Sequence, residues 1–234
     1  MCGRYAAVTP PQAMEALFQT LGALPNFPGR FNIAPTQSAP VVRWNARTGE
    51  RRLDMLRWGL VPSWAADLAG GAKMINARSE SVTEKPTFRE AFARRRCLVP
   101  VTAFYEWRVE NGAKQAYAIA PANSGADAGT AAFAGLWEGW KDPASGEWVR
   151  TYTILTTAAN DAIGHIHHRM PVILAPDHWP AWLGETGADV PTLLDLLRPY
   201  PANQTRFWAV GPRVGNVRND DADLLAPQAA TTLF

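Results

Sequence analysis

Cysteine is scarce in this chain of 234 residues: Cys2 and Cys97 are the two present. Neither a secreted disulfide framework nor a CxxC zinc motif can be assembled from them. No run of about 18 apolar residues occurs, so no spanning helix is expected and no membrane partner. The opening stretch MCGRYAAVTP has no basic segment followed by an apolar one, which argues against a signal peptide and for a cytoplasmic protein. Repeats, low-complexity blocks and long linkers are also missing, so one domain over residues 1–234 is expected. Lysine is rare, 4 residues against 19 arginines, and the net charge is only +2. That balance argues against a protein that coats polyanions along its whole surface.

What is present points to a packed core. Hydrophobic residues make up 47% of the chain, and a domain of this size buries roughly 70–75% of the surface its unfolded chain exposes. The small net charge hides an asymmetry. Residues 1–120 carry 16 Lys/Arg against 9 Asp/Glu, whereas residues 121–234 carry 7 against 12. A GC-rich genome would favour arginine codons; an anionic partner would favour the basic half.

The local patterns are mostly those of strands. Arg51 to Trp58, Cys97 to Val101, Phe104 to Val109, Gln115 to Ala120, Thr130 to Trp137, Trp148 to Thr157 and Thr205 to Val210 are rich in β-branched and aromatic residues. Helix signals are fewer. Thr9 is placed to cap a helix that Gly22 stops, Thr87-Phe88-Arg89-Glu90 has capping-box spacing, Asp177 can cap a helix through Leu183, and Val190 to Leu197 has helical character. Loops are expected at Leu24 to Pro28, Asn123 to Gly129, Asp142 to Gly146 and Gly184 to Ala188. The expected fold is α+β: a curved, largely antiparallel, barrel-like β-sheet flanked by short helices.

Four segments carry reactive or polar groups in informative patterns. Cys2 follows the initiator Met1, and its small side chain permits Met1 removal. The product would hold an α-amine of pKa about 7.7–8.0 beside a thiol of pKa about 8.5, a pair that condenses with aldehydes. Asn76, Arg78 and Glu80 alternate, so an extended segment would present them on one face, either to solvent or to a site. Glu106 lies among Phe104, Tyr105 and Trp107. Apolar surroundings would tune it toward general acid/base work, unless it pairs with Arg108. His165, His167 and His168 cluster before Arg169. Alternating His165 and His167 could chelate a metal from one strand face, or one histidine could move protons. Trp64, after the Pro62-Ser63 turn, is a candidate for stacking on a base or sugar, while core packing suits Trp58 better. Cys97 reads as a core thiol.

In this order and spacing the segments resemble the SRAP family, SOS-response-associated peptidases that process abasic sites in DNA. The resemblance rests on Met1-Cys2-Gly3-Arg4-Tyr5, Arg30-Phe31-Asn32-Ile33-Ala34-Pro35, Trp58-Gly59-Leu60-Val61-Pro62 and Ile75-Asn76-Ala77-Arg78-Ser79-Glu80. It continues through Arg95-Arg96-Cys97-Leu98-Val99-Pro100, Phe104-Tyr105-Glu106-Trp107, His165-Ile166-His167-His168-Arg169-Met170-Pro171 and Val214-Gly215-Asn216-Val217. It implies that the mature Cys2 traps the ring-opened abasic sugar of single-stranded DNA as a thiazolidine. Asn76 would orient the amine, while Glu106 and His167 would move protons. Arg4, Asn32, Arg78 and Arg169 would hold phosphates, with Lys85 and Trp64 as further DNA contacts. Lyase-type cleavage and autoproteolytic removal of residue 1 are implied too. The implied protein is a monomer with no cofactor or metal, nucleoid-associated if bacterial. The sequence departs from the family pattern at Trp64, followed by Ala65 rather than a second aromatic, and in the 83–87 loop that holds Lys85.

Three other readings compete. Cys2, His167 and Asn76 are the residue types of a Cys–His–Asn thiol hydrolase. The arginines and Trp64 would also serve a non-catalytic DNA-binding module. The histidine cluster would serve a metal hydrolase.

Overall fold

The computed structural model describes residues 2–110, 112–122 and 129–228. In chain order the first elements are β1 (Tyr5–Ala7), α1 (Pro11–Phe18), β2 (Arg30–Ile33), β3 (Ser38–Asn45) and β4 (Glu50–Trp58). Then follow β5 (Asn76–Arg78), α2 (Pro86–Arg94), β6 (Arg96–Val101), β7 (Ala103–Glu110), β8 (Ala113–Pro121), β9 (Ala131–Lys141) and β10 (Trp148–Ala158). The last third holds β11 (Arg169–Pro171), β12 (Ile173–Leu174), α3 (Trp179–Leu183), α4 (Val190–Asp195) and β13 (Thr205–Val210).

Strand pairing closes a ring. β10 pairs with β4, β4 with β3, β3 with β6, β6 with β9, and β9 again with β10. A five-strand barrel therefore has no free edge along this circuit, which removes a template for aggregation. Its pairings are antiparallel except where β10 runs parallel to β4. A second sheet, in the order β13-β8-β7-β1-β2, is antiparallel throughout. The α+β, barrel-like, largely antiparallel architecture expected from the sequence is the one observed.

Aromatic residues fill the space between the sheets. Tyr5 from β1 meets Trp58 edge-on at 5.2 Å and Phe133 at 6.0 Å, and its hydroxyl lies 2.6 Å from that of Tyr152. The hydroxyl pair satisfies two buried polar groups at once, as burial requires. Gly59 has φ of +117°, and a Cβ there would come within 2.5 Å of the Gly71 carbonyl oxygen. This close approach folds the segment after β4 back on itself and delivers the chain to β5.

The helices begin and end elsewhere than their sequence signals indicate. Pro10, not Thr9, is the N-cap of α1; the Thr9 hydroxyl is bonded instead to that of Thr130. The helix stops at Gln19, which takes the left-handed conformation at φ 53°, three residues short of Gly22. Lys85 is the N-cap of α2, so Thr87 lies inside the first turn and forms no capping box. Asp177 sits in a 3-10 turn before α3 and caps nothing, whereas Asp189 accepts from the Thr192 amide and does cap α4. The expected loop at Asn123 to Gly129 lies outside the described residues except at Gly129.

Candidate active site around Cys2

Cys2 enters the site because β1 is held from both sides. Tyr5 pairs with Ile33 of β2 and with Phe104 of β7, and Cys2 lies three residues upstream, 0% exposed. Across from it, β5 runs parallel to β10 with Asn76 opposite Ile154. The Asn76 side-chain amide donates to the Cys2 carbonyl oxygen at 2.9 Å. Its Oδ1 is buried with no hydrogen-bond partner among the described residues. A buried acceptor of that kind is costly unless a ligand satisfies it.

Glu106 comes from β7, two residues beyond the Phe104 that pairs with Tyr5. Its side chain is buried, and burial pushes its carboxyl up to about 7. It does not pair with Arg108, which faces Glu110 at 3.6 Å. The His167 Nδ1 lies 3.9 Å from Glu106 Oε1. The Arg169 backbone N–H donates to the same Nδ1 at 3.0 Å, and the Arg169 carbonyl lies 3.1 Å away. One backbone residue can thus serve the neutral ring through its N–H and the protonated ring through its carbonyl. Burial holds the His167 pKa below the usual range.

The Cys2 thiol is pushed up, first by burial and then by the Glu106 charge. Its Sγ has the Arg4 carbonyl as hydrogen-bond acceptor, at 3.9 Å. A Cys–His–Asn hydrolase needs a thiol stabilised as thiolate by a paired imidazole. Here Asn76 is spent on the Cys2 carbonyl and the thiol is held in its neutral form. The site suits an amine-led reaction in which the thiol acts second.

The structure brings Cys2, Asn76, Glu106 and His167 together and sorts the DNA-contact candidates into two groups. Arg4, Asn32 and Arg169 are committed internally. Arg4 Nη1 donates to Asn32 Oδ1 at 2.9 Å and to Val214 O at 2.8 Å. The Asn32 amide, 0% exposed, reaches Val214, Asn216 and Asn219 carbonyls at 3.3, 3.1 and 2.8 Å. Asn32 therefore braces the loop after β13 and has no exposed surface for a phosphate. Arg169 makes two bonds to Glu80, at 2.5 and 3.0 Å, and another to Thr156 O at 2.6 Å. Trp64, Arg78 and Lys85 are exposed, Trp64 by 71%. The neighbouring His167 holds the His168 pKa below its usual value, and Arg78 is near enough to add a smaller contribution.

Two patterns expected from the sequence are broken. The extended segment from Asn76 stops at Arg78, and Glu80 lies in a 3-10 turn (Ser79–Ser81), where it meets Arg169 rather than continuing a strand face. His165 lies in a turn and His167 in the irregular segment before β11, not on a strand. His165 packs edge-on against Phe207 at 5.1 Å, while His167 stacks on His168 at 4.5 Å. Among the described residues no group of three or more His, Cys, Asp or Glu could hold a metal. No helix among them is long and apolar enough to cross a membrane.

Asp220 escaped sequence reading. Its carboxylate accepts from the Phe31 and Asn32 amides at 2.5 and 3.0 Å and pairs with Arg30, fixing the β2 edge of the site. Its partners lie almost the whole chain away, and no local pattern marks it. Glu80 was visible as a member of the Asn76 segment, but its partner was not.

Comparison with known proteins shows what the whole chain is similar to. The family model described as SOS response associated peptidase (SRAP) matches residues 1–217. Abasic site processing protein YoaM of Bacillus subtilis is 37% identical over 228 residues, covering 96% of this chain and 97% of its own. Abasic site processing protein HMCES of Gallus gallus is 34% identical over 222 residues, covering 84% of this chain and 66% of its own. A crystal structure of a Bacteroides thetaiotaomicron protein superposes with a TM-score of 0.85 over 97% of this chain and 100% of that one, at 24% identity. A Bordetella bronchiseptica structure does so at 0.72 over 90% and 100%, at 28% identity.

Proposed function

The chain belongs to the SRAP family, and from that premise we propose that it processes abasic sites by forming a covalent link from Cys2 to single-stranded DNA. The observation that carries the reading is the Asn76 bond to the Cys2 carbonyl beside a carboxyl raised to about 7. Relatives named for abasic site processing support it.

The chemistry starts with loss of Met1, because the nitrogen of an internal Cys2 is an amide and not a nucleophile. Met1 itself lies outside the described residues. Hydrolysis of the Met1–Cys2 bond frees the amine and is the autopeptidase activity. The amine then adds to the aldehyde of the ring-opened sugar, and the carbinolamine loses water to give an imine. Sulfur bonds to the imine carbon and the thiol proton passes to nitrogen, closing a thiazolidine. One water is lost overall and no oxidant is needed.

Glu106, near half-protonated at neutral pH, supplies a proton to the departing hydroxyl and takes one from the amine or thiol. His167, whose Nδ1 lies 3.9 Å from Glu106, exchanges protons with it through one bridging water. The unpartnered Asn76 Oδ1 accepts from a sugar hydroxyl. Removal of a proton beside the imine carbon, with departure of the 3′ phosphate, would be the lyase branch. Arg78, Lys85 and Trp64 meet the flanking strand, whereas Arg4 and Asn32 shape the wall behind it. Arg169 reaches a phosphate only by leaving Glu80. The protein acts as a monomer inside the cell.

The test is incubation of mature protein with single-stranded DNA holding one abasic site, followed by a denaturing gel. A shifted band that survives boiling is expected, together with an intact mass lacking Met1. Cys2→Ala and a form retaining Met1 give no band. Absence of any boiling-resistant species with the mature protein overturns the reading.

A further inference from the structure

At one rim of the barrel β3 and β9 end while β4, β6 and β10 begin. Arg43, Arg47, Arg52 and Arg150 line a cavity of about 700 Å³ there, with Trp44 and Trp137 in its walls. The four guanidinium groups are not equivalent. Arg43 is held by Asp54 at 2.6 and 2.9 Å and lies over the Trp137 ring at 4.3 Å. Arg52 is held by Glu50 at 2.8 Å. Arg47 and Arg150 are exposed, and neither has a side-chain hydrogen bond or ion pair among the described residues.

Trp148 completes the rim. Its ring rests against Gly139, where a Cβ would sit 3.5 Å from it, and 67% of the residue stays exposed. Trp148 and Arg150 occupy the start of β10. Thr156, paired with Arg78, lies six residues beyond Arg150, about 20 Å at the rise of a strand. The rim is therefore separate from the Cys2 site yet within reach of a nucleic-acid strand that passes it.

The geometry points to a second DNA-binding groove at this rim, which takes undamaged single-stranded DNA flanking the lesion. Phosphates meet Arg47 and Arg150, and a base stacks on Trp148. Unpaired guanidinium groups beside an open indole are the combination by which single strands are gripped without sequence preference. This rests on the reading of the protein as a DNA-binding enzyme, but contact with the groove needs neither a lesion nor Cys2.

The experiment measures binding of an undamaged 20-mer of thymidine over a range of salt, alongside crosslinking of the same sequence with one abasic site. Arg47→Gln/Arg150→Gln lowers 20-mer affinity about tenfold or more and flattens the slope of log K against log salt by about 1.4, at roughly 0.7 per phosphate. Trp148→Ala lowers affinity about tenfold with the slope unchanged. Both retain wild-type crosslinking yield at saturating DNA. Unchanged affinity and slope in the arginine variant overturn the groove, as does a wild-type protein that ignores the undamaged strand. In either case the crosslinking lane still judges the proposed function on its own.

Discussion

At the end of β10 that meets Asn76 and Arg78, the guanidinium groups of Arg4 and Arg169 are bound to the protein itself. At the Trp148 end, the Arg47 and Arg150 side chains face solvent with no partner among the described residues. The difference teaches that arginine has two uses in this molecule. Near Cys2 the forks of Arg4 and Arg169 brace loops and backbone around the buried Glu106, whose burial raises its carboxyl to about 7, while Arg78 stays exposed. At the rim Asp54 and Glu50 hold Arg43 and Arg52, whereas Arg47 and Arg150 keep their donors available. Buried ionic groups must be paired within the fold, whereas exposed ones are free to bind.

The sharpest way to break that contrast is at Glu106. Glu106→Gln keeps the shape but cannot exchange a proton, so crosslinking slows by about 10²–10⁴-fold. The wild-type rate carries an inflection near pH 7 that the variant lacks; the amine's own limb at about 7.7–8.0 persists in both. Stability should respond oppositely. The folded value of about 7 lies above the ordinary 4.5, so Glu106 favours its protonated form in the folded state. That contribution is complete below pH 4.5 and is lost as pH rises through 7, by roughly 3 kcal/mol. Urea unfolding of Glu106→Gln should therefore show a flatter pH dependence across this window. An unchanged rate profile would mean that Glu106 is structural.

What the sequence makes legible follows from how local each cause is. β4, β6 to β10 and β13 stand out because β-branched and aromatic residues concentrate in them. β3 is hidden by Pro40, although it is a full barrel strand with Pro40 opposite Met55. β11 and β12 are too short to carry a pattern. In the site, Glu106 is readable because aromatic residues flank it on its own strand, although His167 and Cys2 reach it from other elements. The Asn32 brace and the Asp220 clamp are not, since their partners lie more than 180 residues away. Trp148 looks like an ordinary strand aromatic until its exposure is known.

Asn32 sharpens the comparison at the next level of effect. Asn32→Ala removes its amide from three carbonyls and takes the acceptor from Arg4, leaving buried groups unsatisfied. The expected cost is about 2–4 kcal/mol, which lowers the melting temperature by roughly 4–16 °C in a domain of this size. DNA affinity at fixed salt, measured below the melting transition, should not move, because the side chain is enclosed. A weakened affinity at unchanged melting temperature would instead make Asn32 a phosphate ligand and erase the division between bracing and gripping groups.

The smallest effect is expected at the rim, and its smallness is the point. The Arg47 and Arg150 side chains make no hydrogen bond or ion pair among the described residues, so Arg47→Gln/Arg150→Gln should stay within about 0.5 kcal/mol of wild type. Thermal unfolding without DNA would then show a shift of roughly 2 °C or less. Exposed arginines with no structural return fit a binding role. A clear destabilisation would show that the rim arginines stabilise the barrel, and the two ends of β10 would no longer differ in kind.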